Sequence, residues 1–181
     1  MIYNKARRMA ALAAAATAGA IFATSVFAAG KAAPAAPAAP AVVRLPLENS
    51  DFPISAAVTV SKDADTYFLS GALPPVINKD APKGSSDAYG NMETQATGAL
   101  TLIKGTLARL GLTMGDVVKM TVFMAPDKDN KMDFPGLMAG YTKFFGTAEQ
   151  PNKPARSAVM VAALVAPGAL VEIEVIAAKA H

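Results

Sequence analysis

The chain has no cysteine and no tryptophan. Without thiols it can form neither a disulfide nor a thiolate nucleophile, an absence compatible with an oxidising, exported compartment without requiring one. Its single histidine is the terminal His181, so neither a Ser-His-Asp triad nor a His-ligated metal site can be assembled inside a domain. No phosphate-cradling glycine loop and no dinucleotide fingerprint occurs. The loop Asp127-Lys128-Asp129-Asn130-Lys131-Met132-Asp133 fails as a calcium loop: Met132 stands where an EF-hand needs glycine, and Met138 where it needs the closing glutamate. It reads as a solvated loop whose last residue, Asp133, caps the next helix. The nine methionines lie mostly in apolar positions and read as core. What these exclusions leave is water chemistry steered by charged side chains, with no cofactor, metal or organic, called for.

Charge of one sign is also scarce once the N-terminus is set apart. Lys5, Arg7 and Arg8 precede an uncharged, alanine-rich stretch from Met9 to Ala23, and Val26-Phe27-Ala28 supplies the residues of a cleavage site. The pattern is that of a secretory signal peptide over 1–28, cut after Ala28, leaving a periplasmic or secreted protein with no stable membrane insertion. An uncleaved anchor reaching Gly30 is the competing reading, which the small hydrophobicity of alanine disfavours. Removing those three cations from 17 leaves Lys and Arg equal in number to the 14 carboxylates. No basic stripe with interleaved aromatics remains, so nucleic-acid binding has no electrostatic support. Residues 29–44 contain a Pro/Ala repeat, expected to be an extended, solvated spacer. The domain is expected over 45–181, and 52% hydrophobic content is ample for one core.

Within it, Ile54–Val60 and Thr66–Leu73 read as strands joined by a polar turn. Ser70-Gly71 interrupts the second, and a glycine inside a strand marks a bulge or a close approach. Residues 74–90 form a long irregular loop that either borders a site or merely decorates the surface. Asn91 is placed to cap a helix running to about Leu110. Ala96, Ala99, Leu100, Ile103, Leu107 and Leu110 share one of its faces, and Gly111 ends it. Val117–Met124 is a strongly apolar strand, and Phe134–Phe145 a second helix.

The last thirty residues carry two apolar runs, Ala155–Ala163 and Ala169–Ala178, around Val165-Ala166-Pro167-Gly168. They read as a β-hairpin whose opposed residue numbers sum to about 332. Even positions would then share a face: Arg156, Ala158 and Met160 with Glu172, Glu174 and Ile176. The odd, largely β-branched face (Val159, Val161, Val171, Ile173, Val175) would lie under the helices. The charged face is either simply solvated or part of a cleft.

The segment PARSAVMVAALVAPGALVEIEVIAA resembles the C-terminal signature of the RidA/YjgF family of reactive-intermediate deaminases. ETQATGALTLIKGTLARLGLTMGDVVKMTVFM resembles that family's central helix and strand, and FPGLMAGYTKFF its second helix. The resemblance covers about 45–178. It implies an α+β, chorismate-mutase-like fold of order β-β-α-β-α-β-β with both helices on one sheet face, assembled as a homotrimer with sites between subunits. It also implies that Arg156 clamps a substrate carboxylate, that Glu172 orients or deprotonates water attacking a C=N bond, and that Ser70, Gly71 and Ala158 line the same site. Three positions depart from the family's polar pattern, in which a tyrosine, an asparagine and a cysteine stand where this chain offers Ile54 (or Phe52), Met138 and Ala158. The implied function is hydrolytic deamination of small 2-imino or 2-enamino acids. The alternatives are an exported binding protein for small carboxylates and the endoribonuclease activity attached to some members, which the neutral charge disfavours.

Overall fold

Strand structure begins earlier than the composition suggests. The computed structural model describes residues 39–181; the expected signal segment and most of the Pro/Ala spacer lie outside the described residues. Val42–Pro46 already forms β1, so residues 42–44, expected as spacer, belong to the sheet. Their alternation Val42-Val43-Arg44-Leu45 suffices for a strand once a partner is present. That partner is β2 (Ser55–Val60), antiparallel to β1. There follow β3 (Ala64–Ala72), α1 (Met92–Arg109), β4 (Val117–Met124), α2 (Phe134–Tyr141), β5 (Ala155–Met160) and β6 (Val171–Ala180). The fold is α+β, a single mixed sheet of order β1-β2-β5-β4-β6-β3 with two helices.

Local chemistry explains the helix ends. Asn91 Oδ1 accepts the Thr94 amide at 2.9 Å, and Gly111 sits at φ +72° beyond the last turn, the two ends a helix favours. Asp133 caps α2 by accepting the Gly136 amide. α2 stops at Tyr141, four residues short of the expected Phe145, although Phe145 itself is buried. Leu110 caps α1 and stays exposed rather than joining its apolar face. The helices approach closely because α2 offers Gly140: a Cβ there would lie 2.8 Å from Ala96 Cβ and 3.0 Å from the Glu93 carbonyl.

The expected β5–β6 hairpin does not form. β4 lies between the two, parallel to β5 and antiparallel to β6. Two physical facts favour this. β4 is the most apolar strand, with Met120, Val122 and Met124 fully buried, and it is best placed at the sheet centre with a neighbour on each side. The connection 161–170 is also longer than a hairpin turn and can cross the ~10 Å of two strand spacings.

The inserted strand changes the parity. Met120 pairs with Arg156 and with Val175, whereas Phe123 pairs with Val159 and with Glu172. Arg156, Ala158 and Met160 therefore share the helix-covered face with Val171, Ile173 and Val175. Ser157 and Val159 share the open face with Glu172, Glu174 and Ile176. A one-residue change in relative register moves a strand's whole side-chain set to the other face, and β5 is the strand whose expected faces are exchanged.

Gln95 ties the irregular segments to this frame. Fully buried, it donates to the Gly90 carbonyl at 2.8 Å and accepts the Leu170 amide at 2.7 Å. Residues 74–90 pack on α1, with Pro75 against Gly98, and on the 161–170 connection, with Gly84 and Ser85 against Gly168.

Candidate functional site

Phe134, Met138 and Tyr141 recur at helical spacing and turn one face of α2 toward the sheet. Beneath that face stands Arg156, second residue of β5. Its guanidinium carbon lies 4.4 Å from the Tyr141 ring centroid, 5.5 Å from that of Phe52 and 5.7 Å from that of Phe134. Phe52 and Phe134 stack on each other, centroids 6.3 Å apart. The Tyr141 hydroxyl points away and donates to the Pro53 carbonyl at 2.7 Å, so tyrosine offers the cation only its ring. Such cation–π contacts contribute about 0.5–2 kcal/mol each, which offsets part of the cost of taking the cation out of water.

The electrostatics are those of an unpaired cation. Burial lowers the Arg156 pKa from its ordinary value, with the Tyr141 hydroxyl partly opposing, yet guanidinium stays charged at any working pH. Burial likewise pushes the Tyr141 hydroxyl far above its ordinary range, so it remains neutral. Among the described residues no carboxylate pairs with Arg156. Its one side-chain hydrogen bond there runs from Nη1 to Met138 Sδ at 3.3 Å, a weak acceptor. The remaining N–H groups have no acceptor among the described residues, and none of those nitrogens is among the sealed, partnerless polar atoms; they stay within reach of a ligand. Arg44 is a useful contrast. Its Nη2 donates to the Gly115 and Val117 carbonyls at 2.7 and 3.2 Å, so that arginine fastens β1 to the start of β4.

Glu172 occupies a second locality, on the open face. Between Leu69 and Ala72 the β3–β6 register shifts, so Ser70 and Gly71 form a bulge. The Glu172 side chain lies over Gly71, where a Cβ would stand 2.9 Å from Cδ and 3.0 Å from Cγ. The strand glycine thus marks both a bulge and a close approach. Ser70, Gly71 and Glu172 come together; Arg156 and Ala158 stand on the opposite face. Along β4 the partners of Arg156 and Glu172, Met120 and Phe123, are three residues apart, or ~10 Å. Ala158 packs partly buried against the core and brings no polar side chain.

The aromatic surround of Arg156 is the feature that reading the sequence missed. Its signal was present: positions 134, 138 and 141 lie on one helical face. Phe52 belongs to a loop and has no periodicity to mark it; only the family resemblance pointed to it, as an alternative to Ile54.

With this geometry in view, comparisons with known proteins are informative. The endoribonuclease L-PSP family model matches residues 49–179. A RutC family protein of Pasteurella multocida is 41% identical over 133 residues, covering 74% of this chain and 95% of that protein. The 2-iminobutanoate/2-iminopropanoate deaminase of Escherichia coli is 39% identical over 132 residues, 73% of this chain and 94% of the enzyme. Among solved structures, a Rid family protein from Yersinia pestis superposes with TM-score 0.58 at 22% identity, over 77% of this chain and 99% of that one; at that identity the likeness speaks to fold. The chain belongs to the RidA/YjgF family, the endoribonuclease L-PSP family.

Proposed function

We propose that this chain is an exported, RidA-like hydrolase of small 2-imino and 2-enamino acids. The observation that carries the reading is Arg156: a half-buried guanidinium without a carboxylate partner, its free donors open to a ligand. A planar fork of this kind binds a carboxylate bidentately. The imine carbon of the bound molecule is the electrophile. Water adds to it as one water proton is removed and the imine nitrogen takes up a proton, giving a neutral carbinolamine; its C–N bond then breaks as the hydroxyl proton passes to the leaving nitrogen, and the products are a 2-oxo acid and ammonia. Glu172 takes the water proton, and positioning supplies much of the acceleration. The curated deaminase relative supports this at family level.

Arg156 and Glu172 lie on opposite sheet faces, so a single chain does not present both to one ligand. A second copy does so if its open face meets the arginine edge of the first. That open face carries Phe68, 78% exposed, and Val159, 45% exposed, beside Phe123 and Ile176. Apolar surface of this kind marks an interface, and cyclic closure reuses one surface in every subunit. The reading therefore includes a homotrimer with one site per subunit boundary.

A second reading, an exported carboxylate-binding protein without turnover, is favoured by one observation. Met138, whose sulfur faces Arg156, and Ala158 put no strong polar group beside the clamp. Turnover of freshly generated 2-iminopropanoate, followed as pyruvate and ammonia, tests the choice. Hydrolysis above the buffer rate that is lost in Arg156→Ala supports the deaminase. Pyruvate binding without turnover supports the second reading.

A further inference from the structure

We infer that the arginine site selects 2-imino acids with a bulky apolar or aromatic side chain, and that Phe52 and Met138 are its specificity-determining residues. The inference rests on the deaminase reading and names the substrate class of that same site.

Four side chains surround the guanidinium: Phe52, Phe134, Met138 and Tyr141. Three present carbon or sulfur by composition. Tyr141 does so by conformation, since its hydroxyl is committed to the Pro53 carbonyl. A carboxylate on Arg156 thus has its charge satisfied by the guanidinium alone, and the group attached to it must lie against rings and a thioether. Phe52 is 37% exposed and lies at the solvent side, where a ligand side chain would meet it before reaching the cation.

The consequences for different side chains differ in sign. A methyl group covers little of these walls. Each further methylene that leaves water against them is favourable, and an aromatic ring can stack beside the Phe52–Phe134 pair. A hydroxyl or second carboxylate held among these four side chains would lose its hydration with no donor from any of them to replace it. Of the nearby cations, only Lys153 is left for an acidic side chain to reach, outside the four walls of the clamp. Beyond Phe52 and Ile54 lies a cleft of about 340 Å³ that includes Arg44 and Lys153, but Arg44 already donates to the Gly115 and Val117 carbonyls.

The test separates binding from turnover. Stable 2-oxo acids serve as probes in titration calorimetry on the full chain: pyruvate, 4-methyl-2-oxopentanoate, phenylpyruvate and 2-oxoglutarate. Phenylpyruvate is expected to bind at least about tenfold more tightly than pyruvate, with 4-methyl-2-oxopentanoate between them and 2-oxoglutarate no tighter than pyruvate. Met138→Asn should bring the phenylpyruvate-to-pyruvate ratio toward one. In parallel, kcat/KM is compared for imines generated in place from alanine and phenylalanine. Equal affinities, or tightest binding of 2-oxoglutarate, overturns the inference in the wild-type protein, whatever the variant does. Imine hydrolysis that is fastest on 2-iminopropanoate overturns this inference and leaves the deaminase standing. The expected binding order without hydrolysis overturns the deaminase and leaves the selectivity standing. Failure of every oxo acid to bind overturns both.

Discussion

Substituting Gly71 by alanine isolates the role of the carboxylate above it. The backbone of Gly71 is not among those at positive φ, so alanine brings no conformational strain of that origin. The conflict is with Glu172. The new Cβ would stand 2.9 Å from Cδ and 3.0 Å from Cγ, and closer still to Oε1, where 3.4–4 Å is ordinary contact. Glu172 is only half-buried and makes no ion pair among the described residues, so it can rotate away at small cost. The stability change should stay within about 1 kcal/mol, as for other substitutions at exposed positions. The carboxylate, however, must move by more than an ångström. Misplacement of a reacting group by ~1 Å can reduce rate by ~10²-fold. The expected outcome is a protein of near-normal melting temperature whose kcat/KM on 2-iminopropanoate falls by about two orders of magnitude, close to Glu172→Gln. Thermal melting and the pyruvate-release assay, run on the same preparation, decide it. Unchanged kcat/KM would show that the carboxylate over Gly71 takes no part in the chemistry. A large fall in melting temperature would refute the packing argument, because Glu172 would then have nowhere to go.

Three further outcomes follow from the same geometry, and a fourth from the N-terminal sequence. Arg156→Lys should lose about 1.5–3 kcal/mol of pyruvate affinity, since a point charge replaces a two-pronged donor; equal calorimetric affinity contradicts the clamp. Val159→Asp places a charge in the open sheet face and should convert a trimer to monomers in light scattering, whereas a wild-type monomer at micromolar concentration contradicts the shared site. Gly140→Ala sets over-packing of ~1–3 kcal/mol against Ala96 and the Glu93 carbonyl against a helix-propensity gain of ~1 kcal/mol. A net loss of up to ~2 kcal/mol is therefore expected in urea unfolding, and a raised midpoint would show that the helices can separate freely. Finally, mass spectrometry of the natural product should find Ala29 at the N-terminus; an intact Met1 in a cytosolic fraction contradicts export.

Most elements were legible because their signals are local. Asn91 and Asp133 announce helix starts through a side chain that must bond a backbone amide two or three residues on, and Gly111 announces an end through a conformation other residues avoid. Val117–Met124 was readable to the residue, because eight apolar-dominated positions between Gly115-Asp116 and Pro126 admit few alternatives. The Ser70-Gly71 step was legible as an irregularity, and its partner Glu172 was reached through the family resemblance rather than through spacing. Val42–Arg44 was hidden by the composition of the neighbouring repeat: alternation over so few residues becomes a strand only when β2 lies alongside.

What the sequence by itself determined are the features carried by periods of two and 3.6 residues: the strands from β2 onward, the two amphipathic helices, their caps, and Arg156 and Glu172 as charges within apolar strands. Only the tertiary structure decided which face each charge occupies. Side-chain direction within a strand alternates by local geometry, but the relation between two strands depends on how many others stand between them and in what register. Placing β4 between β5 and β6 answered the burial demand of β4, a global quantity that no window over β5 or β6 contains. It put Arg156 under α2, ringed by Phe52, Phe134, Met138 and Tyr141, and left Glu172 over Gly71 on the other side of the sheet.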